Sequence, residues 1–495
     1  MLPNVLILLA LIFCACGQNP AIRVVVTDKG LQYGSHEAAG WIQDKLEVVT
    51  LPDISGEVRL GFLARIGYTL TGITIRKCDF PEPSVEFYPG FSGLKTSVAG
   101  LNVALAGGWE AHCGFVHGGG SFDMASFGVG LVSIVKLGRD SGGHLSFTSV
   151  NCNAQVDRVD VRFYGDRSWL LRLFEERFKC RIRRQIEATI CPAVEELIAN
   201  LENRLEDMKV SFQVNEDLTL DLPLIGLPAV DASSLHLGLK GEFYSITSPE
   251  EPPFEAQPFA VPQQPGYMLS VGLSDFTVNS ASFSYFAADL LQAFVNDSMI
   301  PPGSPVRLNT TSMAPFIPQL PEMFPDLPMA LQIYARDVPV FFFRSGAVTL
   351  SSPCAAKAFA IGPDATLIPL FQLHVMLEMK QNNSIWWDTN PSFFQDSNFS
   401  GKVWVADGRL EGSVSMDNFT LSLAATEIGP FQTDALENVA QILMETAVLP
   451  QLNGKLATGF PLPRSVHAQL VNPRVTVEEG FVAFCSDAEL LKTQF

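Results

Sequence analysis

"LLRLFEERFKCRIRRQIEATICPAVEELI", residues 170–198, is the stretch on which the fold turns. Leu170, Phe174, Phe178, Ile182, Ile186, Ile190, Val194 and Ile198 recur every four residues. An α-helix turns every 3.6 residues, so such a ladder drifts around a straight helix. The helix must therefore wrap a curved surface or bend, and Pro192 is the candidate bend.

The curved surface has a source in the flanking sequence. "FQLHVMLEM" (371–379) alternates: Phe371, Leu373, Val375, Leu377 and Met379 face one way, and Gln372, His374, Met376 and Glu378 the other. That is a half-buried antiparallel strand. "GKVWVADGRLEGSVSMDNFTLSLAATEIG" (401–429) reads as two or three more strands, with a turn at Asp407-Gly408.

The same plan is written twice. "IRVVVTDKGLQYG" runs extended into a helical "SHEAAGWIQDKLEVV", and "YMLSVGLSDFTVN" runs extended into "SASFSYFAADLLQAFVND". In the latter, Phe283, Phe286, Ala287, Leu290, Leu291 and Phe294 form one helical stripe, with Ser282 as N-cap. Strands follow, then a second helix: the quoted ladder in the first half, and in the second a helix begun by Leu436, Val439, Ile442 and Leu443 that Pro450 ends or kinks. "TSPEEPPFEAQPFAVPQQPG" (247–266), with six prolines, is a semi-extended connector between them. The fold class is α+β: two tandem units, each a curved antiparallel sheet with a long helix on its concave face. The expected divisions are a leader at 1–17, an N-terminal barrel at 18–246, the linker, and a C-terminal barrel at 267–495.

Composition narrows the function. Of 495 residues, 47% are hydrophobic and 17% charged, and the mean hydropathy is +0.20. After residue 17 no continuous apolar run approaches the roughly 20 residues a membrane helix needs. The excess apolar surface is expected to face a core or a ligand groove. "MLPNVLILLALIFCACG" reads as a secretory signal with Ala15-Cys16-Gly17 before the cut, although it lacks a basic n-region; a signal anchor is the alternative. Secretion permits disulfides among the seven remaining cysteines and gives meaning to sequons at Asn296, Asn309, Asn382, Asn398 and Asn418. Net charge is −19, with 22 Lys/Arg against 29 Asp/Glu in residues 18–250 and 11 against 23 thereafter. This argues against nucleic acid and against a polybasic membrane binder. No G-x-S-x-G, P-loop or G-x-G-x-x-G is present, and His36-Glu37 starts a H-E-x-x-H that Gly40 breaks. No enzyme, cofactor or metal site is expected.

"GGWEAHCGFVHGGGSFD" (107–123) gathers histidine, cysteine and carboxylates, but on a strand His112 and Cys113 point to opposite faces, against a shared metal. A glycine-rich hairpin tip is the plainer reading; its two histidines would charge below about pH 6.5.

The chain resembles the bactericidal/permeability-increasing protein and lipopolysaccharide-binding protein family along essentially all of its mature length. The resemblance rests on "GLQYG", "LPDISGE", "CNAQV…WLLRLFEERF…ATICPAVEEL", "KGEFYS", "VGLSDFTVNSASF", "DSMIPPGSPVRL" and "LPQLNGKLATGFPLP", in that order. It implies a boomerang of two barrels joined by a central sheet, each with an apolar pocket for phospholipid acyl chains. It implies helices lining those pockets, with Leu170, Phe174, Phe178 and Ile182 in one half and Phe283, Phe286 and Leu290 in the other. It implies a Cys152–Cys191 disulfide, leaving Cys78, Cys113, Cys180, Cys354 and Cys485 unassigned. It puts Trp109, His112 and His117 at the tip of the N-terminal barrel, where antibacterial members carry lysines that meet lipid A phosphates. Here Glu110, His112, Gly114 and His117 stand instead. Basic density remains at Arg172, Arg177, Lys179, Arg181, Arg183 and Arg184, interleaved with Glu175, Glu176 and Glu187. That run is either a solvated helix face or a site for lipid phosphates. The implied activity is a secreted, monomeric lipid binder of innate immunity, taking lipopolysaccharide or phospholipid at a bacterial outer-membrane surface. The alternative is phospholipid transfer without pathogen recognition.

Overall fold

The computed structural model describes residues 18–46, 50–60, 64–166, 168, 175–300, 306–376, 399–406, 409–416, 420–445, 449–458, 460–461 and 468–490. The leader, Leu170, Arg172, Phe174, Leu377, Met379, the Asp407-Gly408 pair, and Asn382, Asn398 and Asn418 lie outside these residues, as do the side chains of Arg177 and Phe178.

In the N-terminal half, long strands Ala64–Asp79, Gly93–Cys113, Val116–Arg139 and Leu145–Asp166 pair antiparallel in sequence order. Their register shifts between Thr71 and Thr74 and between Val98 and Leu101, where Gly72 and Gly100 take positive φ. An extra residue on one strand bends the ladder, so these glycine bulges curl the sheet. Helix α1 (Asp28–Leu46) starts at Asp28, so "KGLQYG" is helical rather than extended. Helix α2 (Glu175–Glu206) contains Pro192 and lays Ile182, Ile186 and Ile190 on the concave face.

The C-terminal half holds two five-stranded antiparallel sheets. One runs, in spatial order, through Gln292–Asn296, Met329–Ala335, Cys354–Ile361, Leu367–Met376 and Thr420–Thr426. The other takes Val340–Arg344, Ala347–Ser351, Phe399–Ala406, Arg409–Met416 and Phe460–Pro461. The 401–429 stretch is thus three strands divided between two sheets.

A six-stranded sheet takes strands from both halves. Ile22–Thr27 pairs with Ser234–Leu239 on one side and Leu269–Ser274 on the other, and the latter pairs with Phe481–Leu490. The proline-rich 247–266 segment crosses this sheet as an anchored strap. Ala256 and Val261 are buried, and Phe259 stacks on Phe481 with ring centroids 4.9 Å apart. A Cβ on Gly272 would come within 2.4 Å of Val261, so that glycine admits the strap.

One helix reading is corrected. Helix α3 spans Asp275–Ala287, beginning after Ser274 rather than at Ser282. Leu290 lies beyond its end and Phe294 belongs to the strand Gln292–Asn296. Its buried face carries Asn279, Ser280, Ser282 and Ser284. These side chains act as backbone partners for neighbouring strands. Asn279 accepts from the Phe341 N–H at 2.7 Å and donates to its carbonyl at 2.9 Å. Ser280 accepts from the Phe243 N–H, and Ser282 donates to the Pro339 carbonyl. Near the C-terminus the described helical segments are α4 (Asp434–Leu443) and α5 (Leu449–Thr458). Pro450 lies within α5, with helical residues after it through Thr458. Among the described residues, no helix is long and apolar enough to cross a membrane.

Candidate lipid-binding sites

The alternation of 371–375 determines where the C-terminal cavity lies. Phe371, Leu373 and Val375 point between the two sheets, and the neighbouring strands present Leu331, Ile333 and Ala356 in the same space. Helix α4 closes another side with Leu436, Val439 and Ala440. The cavity has a volume of about 390 Å³, within the range of small-molecule sites. It stays open because Ala356 and Ala440 stand where longer side chains would fill it. Met313, Met329, Met416 and Met444 line it too; thioether chains adapt to irregular guests.

Polar groups are confined to a few wall positions: Arg307, Ser352 and Cys354. Arg307 donates through Nη2 to the Asp297 carboxylate at 2.7 Å and through Nη1 to the Ile300 carbonyl at 3.2 Å. Asp297 also accepts from the Leu308 N–H at 2.7 Å. The Arg307 hydrogen bond, joined by that N–H, holds the Asp297 carboxyl below its ordinary range. The pair pins the chain at the cavity wall. The Ser352 hydroxyl and the Cys354 thiol lie 3.3 Å apart.

Phe283, Phe286 and Leu290 are not among the cavity residues. Phe283 meets Phe254 of the strap edge-on at 6.4 Å, and Leu290 is exposed.

In the N-terminal half the described residues form a packed cluster beneath the hairpin. Trp109, Phe122 and Phe163 pack with Ile182 of α2 in one cluster. The Trp109 ring N–H donates to the Tyr164 carbonyl at 2.9 Å, and its ring meets Phe163 edge-on. Trp109, 2% exposed, is therefore a core residue below the hairpin tip. The tip itself is a two-residue turn, Gly114-Phe115, between paired Cys113 and Val116. His112 and His117 are cross-strand partners, both exposed, with rings 6.3 Å apart. Phe115, at the apex, is fully exposed; sequence reasoning passed over it, although an aromatic in a two-residue turn has no core to enter. Among the described residues, no three histidine, cysteine or carboxylate side chains gather in metal-binding geometry.

Cys152 is joined to Cys191, tying α2 to the edge strand Leu145–Asp166. Cys113, Cys180, Cys354 and Cys485 are free thiols, and Cys78 is buried. The basic run on α2 is dispersed. Lys179 lies 3.7 Å from Asp160 and 3.4 Å from Glu176. Arg181 sits against Tyr68, whose hydroxyl burial pushes up in pKa while Arg181 opposes the shift. Arg183 is half-buried and Arg184 exposed.

The chain matches the N-terminal domain of the LBP / BPI / CETP family over residues 30–202, and the family's C-terminal domain over 212–389 and 394–490. It belongs to that family. The family comprises non-enzymatic lipid-binding proteins, and this chain is one of them. It is 32% identical to a bactericidal permeability-increasing protein of Sebastes schlegelii over 485 residues, covering 98% of each chain. It is 26% identical to the human lipopolysaccharide-binding protein over 494 residues, covering 99% of this chain and 98% of that one. A crystal structure of lipopolysaccharide binding protein superimposes with a TM-score of 0.57 at 24% identity, over 96% of this chain and 100% of that one. The shared fold is α+β, a curled half-barrel sheet with a long helix, in a two-domain arrangement.

Proposed function

We propose that this LBP / BPI / CETP family member is a secreted, monomeric carrier that takes acyl chains of lipopolysaccharide or phospholipid into its C-terminal cavity. The carrying observation is the cavity of about 390 Å³ whose wall has Arg307 as its one charged residue. Each methylene buried there contributes roughly 0.8 kcal/mol, so tight holding does not need a cationic surface. The relatives named for bactericidal activity and for lipopolysaccharide binding support the innate-immune reading. In this reading the units are two barrels, 18–246 and 267–495, set as a boomerang about the central sheet. Residues 1–17 are the cleaved leader, and Asn296, Asn309, Asn382, Asn398 and Asn418 are glycan acceptors. The α2 basic residues and the tip histidines are secondary contacts to headgroups.

The lysine-free tip favours a second reading, phospholipid transfer without pathogen recognition. Native mass spectrometry with lipid extraction, on protein exposed to lipopolysaccharide and to phosphatidylcholine vesicles, separates the two. Retained lipopolysaccharide that displaces phospholipid supports the first reading. Retention of phospholipid alone supports the second. Retention of neither rejects both.

A further inference from the structure

The C-terminal end of α2 is held by a side chain from another element. His144, in the turn between strands Val116–Arg139 and Leu145–Asp166, places Nδ1 2.7 Å from Asp140 Oδ2 and Nε2 2.9 Å from the Met208 carbonyl. A carboxylate and a carbonyl are both acceptors without a proton to give. Neutral imidazole carries one N–H and satisfies one of them. Imidazolium carries two and satisfies both. The Met208 carbonyl closes the turn in which its own N–H donates to Leu205, so the cation also sits at the negative end of a 32-residue helix.

The geometry points to protonated His144 as a pH-sensitive latch that ties the last turns of α2 to the barrel and releases them as pH rises. The charged groups facing the ring are Asp140 from its own turn and Glu206 from α2. The third packed segment contributes Pro223 and Leu224, which carry no charge. The His144 side chain is 15% exposed; its contact to Asp140 is half-buried and that to Met208 lies at the surface. The hydrogen bond to Asp140 raises the imidazole pKa above its ordinary value, against a smaller opposing effect of burial. For Asp140, burial acts upward, but the bonds to His144 outweigh it and lower the carboxyl.

The latch has a defined span. Upstream, Cys191 is fixed covalently to Cys152, and Pro192 follows at once. Between that anchor and Met208 the helix is poorly covered, with Leu197 64% and Leu201 46% exposed. One end of this half-helix is thus held permanently and the other by a titratable contact. The sign follows from the raised pKa: the stabilisation is complete below the unfolded value of about 6.5 and is lost as pH climbs through the folded value.

Hydrogen exchange of residues 192–208 in the full-length protein, corrected for intrinsic rates, tests this directly. Protection is expected to be larger at pH 6 than at pH 8 by on the order of fivefold, the size of a helix-terminal charge effect. In H144Q the difference should vanish while protection of the barrel core at 105–125 is unchanged. Equal protection at both pH values in the wild type, or a persistent difference in H144Q, overturns the latch. If H144Q does not fold, D140N keeps the ring and its Met208 contact. Its loss of protection should then begin at lower pH, and an unshifted profile overturns the proposal. None of these readouts depends on what the C-terminal cavity holds.

Discussion

On the concave face of the N-terminal sheet, Trp109, Phe122 and Phe163 meet Ile182 of one long helix. Between the C-terminal sheets, Ala356, Ala440 and four methionines surround a cavity of about 390 Å³, with α4 against one side. The plan of curled sheet and helix is shared. What differs is side-chain volume. Three large aromatics fill the described part of the first interior, whereas alanines and flexible thioethers leave room in the second. A cavity in this architecture is thus a matter of residue size at inward positions, not of topology.

Trading large for small in the first half should break that contrast most severely. Trp109→Ala removes a buried ring and leaves the Tyr164 carbonyl without its donor. It should cost about 3–5 kcal/mol, read as a fall in denaturation midpoint. An unchanged midpoint would mean the N-terminal interior is not close-packed. The disulfide is next. Cys152→Ser with Cys191→Ser releases a loop of 39 residues' separation, worth roughly 3–4 kcal/mol on chain entropy. Limited proteolysis should then cut first within α2, since its covalent anchor to the barrel is gone.

The junction of the halves should respond less. Asn279→Ala deprives the Phe341 N–H and carbonyl of their partner. About 2 kcal/mol is expected, with faster amide exchange at strand Val340–Arg344. Smaller still in stability, but decisive for function, is Ala356→Leu. Overpacking a close-packed core costs about 1–3 kcal/mol; here the added atoms enter open space, and the stability change should stay below that range. Bound lipid per protein, measured after extraction, should fall. A large loss of stability with lipid retained would show that Ala356 faces packed neighbours and that the lipid lies elsewhere.

Such differences explain what the sequence could and could not reveal. Periodicity carried the strand at Phe371–Val375 and the ladder at Ile182, Ile186 and Ile190, because facing is set by backbone geometry alone. It could not separate a cavity from a core, since both interiors are lined by the same alternation. Helix α3 was misread because, beyond Phe276, its buried face is polar: Thr277, Asn279, Ser280, Ser282 and Ser284. Hydrophobicity marks that face as solvent-exposed, and only the nearby strand groups that those side chains satisfy make it internal. The resemblance put Trp109 at the tip with His112 and His117, but its inward register takes it into the core.

The subtlest contrast between the halves is their response to acid. His144 in the first half gains a carboxylate partner, and its pKa is raised. His374 in the second lies on strand Leu367–Met376; burial lowers its pKa, and Arg336 lowers it further. For His374 the folded state holds its proton less tightly than the unfolded chain. Its neutral form is compatible with folding above the unfolded value of about 6.5, and stability is lost as pH falls from there toward the depressed folded value. Acidification from pH 7.5 to 5.5 should therefore tighten the end of α2 while loosening the Leu367–Met376 strand. Local hydrogen exchange reads both in one sample. His374→Gln should abolish the acid loosening of the strand and leave the α2 response intact, whereas H144Q should do the reverse. If either single substitution removed both responses, the two halves would share one titrating group, and the independence of their interiors would be wrong.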